Sequence, residues 1–334
     1  MITQNFWKTL PKPFFALAPL ANVTDAAFRR IIAKYSKPDG PDVFYTEFVS
    51  ADGLALGNRE LLLRDLAFSE AERPIVAQFF SATPRCMEEA ARLAAELGFD
   101  GVDINMGCPD RSVEKQGAGA AHIKSPEHAQ EIIAAAMQGA MRGGRHIPVS
   151  IKTRIGYHHD TLEEWLEKLL EAKPAAIALH ARTRREMSKV PAQWGAVARA
   201  VNLRNARGSE TLIIGNGDVV DLADAKKKAA ETDCDGVMLG RAIFGNPFLF
   251  LNSQEYQNSL EEVGRRLRVM VEHTKIFEEL LGDVKNFALM KKHYKAYVQG
   301  FDGAKELRMR LMEAQDAKEV AEIVSAFSAS AIGH

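Results

Sequence analysis

Residues 100–109 read Asp-Gly-Val-Asp-Ile-Asn-Met-Gly-Cys-Pro. Segment 101–104 is short and carries Val and Ile, the character of a strand enclosed on both faces. Gly107 and Pro109 then impose a turn that holds Cys108 at the strand's carboxyl end. In α/β proteins chemistry gathers at that end. Cys108 is therefore expected to be functional, whereas Cys86 and Cys234 read as buried structural thiols.

Similar runs recur on both sides of this stretch. Segments 14–18, 43–48, 75–79, 149–153, 176–180, 212–215 and 236–239 join 101–104 as strand candidates, about eight in all. Helix-periodic segments lie between them and have recognisable starts: Thr24 and Asp25 before 26–34, Thr83 before 84–97, Ser125 before 126–141, Asp160 before 161–170, and Asp221 before 222–230. Eight strands ending near Phe250 predict a (β/α)8 TIM barrel over 1–250; an open doubly wound sheet, the alternative, accommodates fewer strands in one layer.

After Phe250 the strand signal stops. Residues 255–332 read as several helices broken at Gly282, Gly300 and Gly303, a smaller C-terminal helical domain over 251–334. A chain of 334 residues with 46% hydrophobic and 26% charged residues is that of a globular protein with a large core. The first twenty residues carry only a short apolar stretch interrupted by three prolines, so neither a signal peptide nor a membrane span is expected. Three cysteines without paired spacing suggest a reducing compartment, and no Cys/His cluster has metal-ligand spacing.

Chemistry is expected on the loops at the strands' carboxyl ends. These carry Pro19, Leu20 and Ala21 after strand one, Gln78 in strand three, and Asn105 with Cys108 at strand four. Lys152 lies in strand five, and His180, Arg182 and Arg184 end strand six. Strand seven ends in Asn216-Gly217-Asp218 and strand eight in Gly240-Arg241, the phosphate-site position of a barrel. Lys152 inside an apolar strand needs a partner: either a structural ion pair, with Asp103 as candidate, or a reduced cofactor whose negative charge it stabilises.

Together these motifs resemble the dihydrouridine synthases, FMN-dependent enzymes that reduce uridines in tRNA. The resemblance rests on Ala18-Pro19-Leu20-Ala21-Asn22-Val23-Thr24-Asp25, residues 103–109, Lys152-Thr153-Arg154, 180–184, 216–218 and 240–242. In the tail, residues 291–297 and 303–308 resemble that family's helical RNA-binding domain. Departures occur at Leu20, Asn22, 121–123, the 187–190 loop and Asp302.

The resemblance implies that FMN, reduced by NADPH, delivers hydride to uracil C6 while Cys108 protonates C5. Gln78, Lys152 and His180 would lie at the flavin ring, with Pro19, Leu20 and Ala21 packed below it. Asn216, Gly217, Asp218, Gly240 and Arg241 would hold the ribityl phosphate. Asn105 would orient the target base, and Arg182 or Arg184 would meet RNA, as would Lys291, Lys292, Lys295 and Arg308 in the tail. A cytoplasmic monomer acting on tRNA, without metal or membrane, is the corresponding expectation.

Charge gives less support than the motifs. The net charge is −1, although 263–310 holds eleven Lys and Arg against six Asp and Glu. Two other readings compete: an FMN barrel oxidoreductase acting on a free small molecule of dihydropyrimidine or dihydroorotate type, and a non-enzymatic RNA-binding barrel. The basic tail segment argues against the first. Cys108 and Lys152 together argue against the second, since RNA binding alone requires neither.

Overall fold

All eight strand candidates form strands, and all pair in parallel. The computed structural model describes residues 5–57, 59–251 and 260–332. The strands are β1 (Phe14–Leu17), β2 (Phe44–Ser50), β3 (Ile75–Phe80), β4 (Gly101–Met106), β5 (Val149–Arg154), β6 (Ala176–His180), β7 (Leu212–Asn216) and β8 (Gly236–Leu239). Pairing runs β1-β8-β7-β6-β5-β4-β3-β2. Between β1 and β2 the ring closes through a bridge from Ala16 to Val43, with Asp42 N donating to Phe15 O (2.8 Å) and Leu17 N to Val43 O (3.0 Å). The result is a closed (β/α)8 barrel, not an open sheet.

The helices are α1 (Ala26–Ser36), α2 (Ala51–Leu56), α3 (Arg59–Asp65), α4 (Pro84–Glu96), α5 (Arg111–Glu114), α6 (Pro126–Arg142), α7 (Leu162–Glu171), α8 (Trp194–Ala206) and α9 (Leu222–Thr232). Asp25 and Asp221 start α1 and α9 as expected, accepting from Phe28 N and Asp224 N. Thr83 and Ser125 make no such bond, and proline in the first turn sets the starts of α4 and α6. Helices α2, α3, α5 and α8 were not expected from sequence. The helix-facing sides of the strands and the inward helix faces are buried together in one core, with Phe79, Ile104, Ile151, Leu179 and Val237 among its fully or nearly fully buried residues, while Phe14, Tyr45, Val76 and Met238 pack in a separate cluster.

Past the barrel come α10 (Leu260–Leu281), α11 (Met290–Tyr297), α12 (Ala304–Glu313) and α13 (Ala317–Ile332). Breaks fall at Gly282 and at 298–303, as the glycines predict; a further break at 314–316, Ala-Gln-Asp, was not expected. The expected start at Glu255 lies outside the described residues. These helices bury a second core around Leu267, Met270, Phe277, Tyr294 and Leu307, and α1 joins it through Ala27 and Ile31. Because Phe28 and Ile32 face the barrel core, α1 has one stripe in each.

Candidate active site

The carboxyl ends of the strands surround a basin of about 740 Å³, within the range of small-molecule sites. Cys108 borders it on a turn pinned from several sides. Asn105 Oδ1 accepts from Cys108 N (2.9 Å) and Gly107 N (3.1 Å), Arg154 Nε donates to Gly107 O (2.8 Å), and Ala120 N donates to Cys108 O (3.0 Å). Gly119 (φ +61°) lets the chain pass beneath, since a Cβ there would come within 2.8 Å of Cys108 O. Burial pushes the Cys108 thiol above its ordinary pKa, so it holds its proton at neutral pH.

Asn105 is itself aimed by its neighbours. Its Nδ2 donates to Gln78 Oε1 (3.2 Å), and Gln78 Nε2 donates to Asp103 Oδ2 (2.7 Å). Ser150 Oγ donates to Asp103 Oδ1 (2.6 Å). A carboxylate accepts only, so Asp103 dictates which way both amides point. Asp103 is fully buried, and burial raises its pKa to about 6.

Lys152 has no ion pair with Asp103. Among the described residues its hydrogen bond goes to Asn216 Oδ1 (3.1 Å), whose Nδ2 donates to Met238 O (2.8 Å). Half-buried at the basin floor and deprived of water, Lys152 is pushed down to about 8, with Arg154 adding repulsion. That leaves ammonium hydrogens directed at whatever fills the basin.

On the far wall the backbone is bent at Gly217 (φ +128°) and Asp218 (φ +49°), and Trp194 Nε1 donates to Gly217 O (2.8 Å). Asp218 serves as a strut between cations: it pairs with Arg182, accepts from Arg241 Nη2 (2.6 Å) and accepts from Ala192 N (2.9 Å). The Arg241 side chain is 65% exposed beside Gly240 and is free to meet an anion. Pro19, Leu20, Ala21 and His180 also line the basin, as does Arg182.

The residues expected to meet RNA fall into three groups. Arg182 is only 2% exposed and lies beneath the 183–192 loop, donating to Val190 O (2.6 Å). Arg184 pairs with Glu114 and donates to Pro109 O (3.2 Å), bracing the Cys108 turn from outside the basin. In the tail, Lys292 and Lys295 are exposed on α11 and Lys291 is half-buried, but Arg308 donates to Val298 O (2.6 Å), capping the end of that helix. The tail is tied to the mouth by Lys285, whose Nζ lies 2.5 Å from Glu47 Oε2 and 2.8 Å from Asp65 Oδ1. Glu47 Oε1 in turn accepts from Asn22 N (2.5 Å) in the β1–α1 loop.

Arg154 and Asp103 belong to the site although neither was assigned to it from sequence. Both were findable by strand periodicity: Arg154 is two residues beyond Lys152, and Asp103 two before Asn105, so each pair shares an inward face. Arg154 is buried and donates to Thr183 O (3.1 Å) and Met187 O (3.0 Å), joining the Cys108 turn to the next loop.

The family model described as dihydrouridine synthase matches residues 16–332. A probable tRNA-dihydrouridine synthase of Staphylococcus epidermidis is 39% identical over 329 residues, 98% of this chain and 97% of that protein. Probable tRNA-dihydrouridine synthase 2 of Bacillus subtilis is 37% identical over the same length and shares. Among solved structures, histamine dehydrogenase from Rhizobium sp. 4-9 superposes with a TM-score of 0.53 at 14% identity, covering 78% of this chain and 48% of that one. A 2-naphthoyl-CoA reductase gives 0.52 at 13%, covering 70% and 49%. The chain thus spans about half the length of these two structures, and the likeness is one of fold.

Proposed function

Because the chain belongs to the dihydrouridine synthase family, we propose that it reduces uridine to 5,6-dihydrouridine in tRNA, in the basin beside Cys108, with FMN as cofactor and NADPH as reductant. The observation that carries the reading is a thiol kept protonated on a rigid turn beside a basin whose floor and far wall present Lys152 and Arg241. The donor set fits a flavin mononucleotide. Gly217 and Gly240 leave backbone open to a phosphate, Arg241 adds charge, and Lys152 faces the interior where an electron-rich ring would lie.

FMN, when bound, supplies hydride to uracil C6 and is itself reduced by NADPH. Cys108 acts as general acid, giving its proton to C5. The resulting thiolate is then stabilised by Arg154 and Lys152, both of which favour its charged form. Asn105 holds the turn so that the thiol stays at one place while the base arrives. A uridine within folded RNA must be flipped out of its stack to enter. Residues 251–334 form the RNA-docking unit, with Lys291, Lys292 and Lys295 toward phosphates; Lys285 holds that unit against the mouth. No described helix is long and apolar enough to cross a membrane, and no described cluster could hold a metal ion. The protein acts as a monomer in the cytoplasm, where its substrate is.

The test is chemical. Purified protein should be yellow, release one FMN per chain on denaturation, and form dihydrouridine in unmodified tRNA with NADPH. A colourless protein that takes up no FMN sinks the reading.

A further inference from the structure

We infer that Arg182 is a positioning residue that locks His180 in its neutral Nδ1–H tautomer, making His180 a hydrogen-bond donor to an acceptor atom of the basin's ligand. A guanidinium has five N–H donors and no acceptor, so an imidazole nitrogen bonded to it must offer a lone pair. Arg182 Nη1 lies 3.1 Å from His180 Nε2. Nε2 is therefore the unprotonated nitrogen, and in a neutral ring the hydrogen sits on Nδ1.

Arg182 is held in this position by its other donors. Arg182 Nε donates to Val190 O (2.6 Å) and Nη2 pairs with Asp218, which is itself fixed by Ala192 N and Arg241. The Cδ2–Nε2 edge of the ring faces Gly217, where an added Cβ would come 3.2 Å from Cδ2 and 3.5 Å from Nε2. Among the described residues no protein group bonds Nδ1, and the ring borders the basin. Charge opposes any second proton. Lys152, Arg154, Arg182 and Arg241 all act on the ring, and the Asp218 carboxylate already pairs two of them. Burial and these cations hold His180 far below its ordinary pKa.

The consequence is a wall of donors. His180 Nδ1–H and the Lys152 ammonium suit a planar heterocycle edge bearing a carbonyl oxygen or an anionic ring nitrogen. A ligand presenting a donor there would leave two hydrogen atoms facing one another and be rejected. The tautomer follows from protein geometry alone; its use toward a flavin rests on the function proposed above.

Long-range proton–nitrogen correlation spectra of the full chain, labelled at its nine histidines, test the first part. His180 signals are assigned by their loss in His180→Asn. The expected result is a pyridine-like Nε2 and a pyrrole-like Nδ1 that stay unchanged over about pH 5–8. A pyrrole-like Nε2, or a ring that protonates in that range, overturns the inference. In Arg182→Met the ring should begin to titrate and populate the other tautomer; unchanged signals there would show that Arg182 does not set it. The second part is read from FMN affinity, without turnover. His180→Asn keeps a donor at the δ position and should bind within a few-fold of wild type, whereas His180→Ala should lose on the order of tenfold. Equal affinities for the two variants would remove His180 as a ligand donor. Failure of all forms to bind FMN, with the tautomer as expected, would strike the functional reading alone.

Discussion

Two regions bury polar side chains, and they treat them in opposite ways. At the barrel mouth Asp103, Gln78 and Asn105 are paired end to end, and the chain of bonds finishes on the backbone of the Cys108 turn. At the junction with the tail, His273 and His293 are buried against each other at 4.7 Å and against Phe28; His273 Nδ1 lies 3.5 Å from the Tyr297 hydroxyl, while His273 Nε2 and His293 Nδ1 have no hydrogen-bond partner among the described residues. A paired network has a direction and can aim a group. An imidazole left with one ring nitrogen unpaired ends its network instead of aiming a group, and its handle is the proton it refuses.

The largest effect should come from the group that the mouth network aims. Cys108→Ala is expected to slow dihydrouridine formation by about 10²–10⁴-fold while flavin content and NADPH oxidation persist. Single-turnover assays on tRNA decide this, and a variant with wild-type product formation would detach the network from the chemistry.

The junction should show itself through pH. Burial holds His293 at about 4 and His273 well below its ordinary value. The unfolded chain therefore takes up protons first, so this contribution to stability is complete above about pH 6.5 and is lost as pH falls toward about 4. For His293 the loss amounts to on the order of 3 kcal/mol at the acid end. His293→Phe should flatten the stability profile over that window, as measured by urea unfolding. An unaltered slope would mean that this histidine is not held neutral.

Breaking the mouth's anchor should cost somewhat less but at a different pH. Asp103→Ala leaves Gln78 Nε2 and Ser150 Oγ without their acceptor, a loss of about 1–3 kcal/mol near neutrality. The sign of the wild-type pH term is opposite to that of the histidines. With a folded pKa of about 6 against 3.8, the carboxyl's favourable contribution is present below about pH 3.8 and is lost as pH rises through about 6. The gap between wild type and variant should therefore be wider in acid and narrow to that value as the carboxyl ionises, which urea unfolding at several pH values would show.

Smallest is the tail surface. Replacing Lys291, Lys292 and Lys295 with alanine should lower the salt slope of tRNA binding by about one for each phosphate no longer neutralised, and should leave flavin absorbance unchanged. Affinity measured at several salt concentrations checks this; an unchanged slope would assign these lysines to a solvated face.

The barrel was legible because each strand is a short apolar run whose signal is local. The ends of β1 and β8 and the whole of β6 differ from expectation by no more than one residue. Helix α8 was not legible: it begins at Trp194 after Gln193 with no side-chain cap, and it buries only small or β-branched residues such as Ala196, Val197, Ala200 and Val201. Cys108, Lys152 and the glycine loops were visible because a thiol, a buried cation or paired glycines are costly without a use. Arginines carry no such mark. Arg184 meets Glu114 seventy positions away, and Arg182 is covered by a loop whose path only the tertiary structure determines.

Helix α1 stands in both cores, and the ribosome makes its two faces wait unequal times for cover. Phe28 and Ile32 meet partners in the barrel as its strands emerge, but Ala27 and Ile31 need Val263, Leu267 and the helices that follow. At roughly 5–20 residues per second, more than two hundred residues of synthesis separate the two, on the order of ten to fifty seconds. Throughout that interval the nascent chain carries an apolar stripe on α1 whose partners have not yet been made.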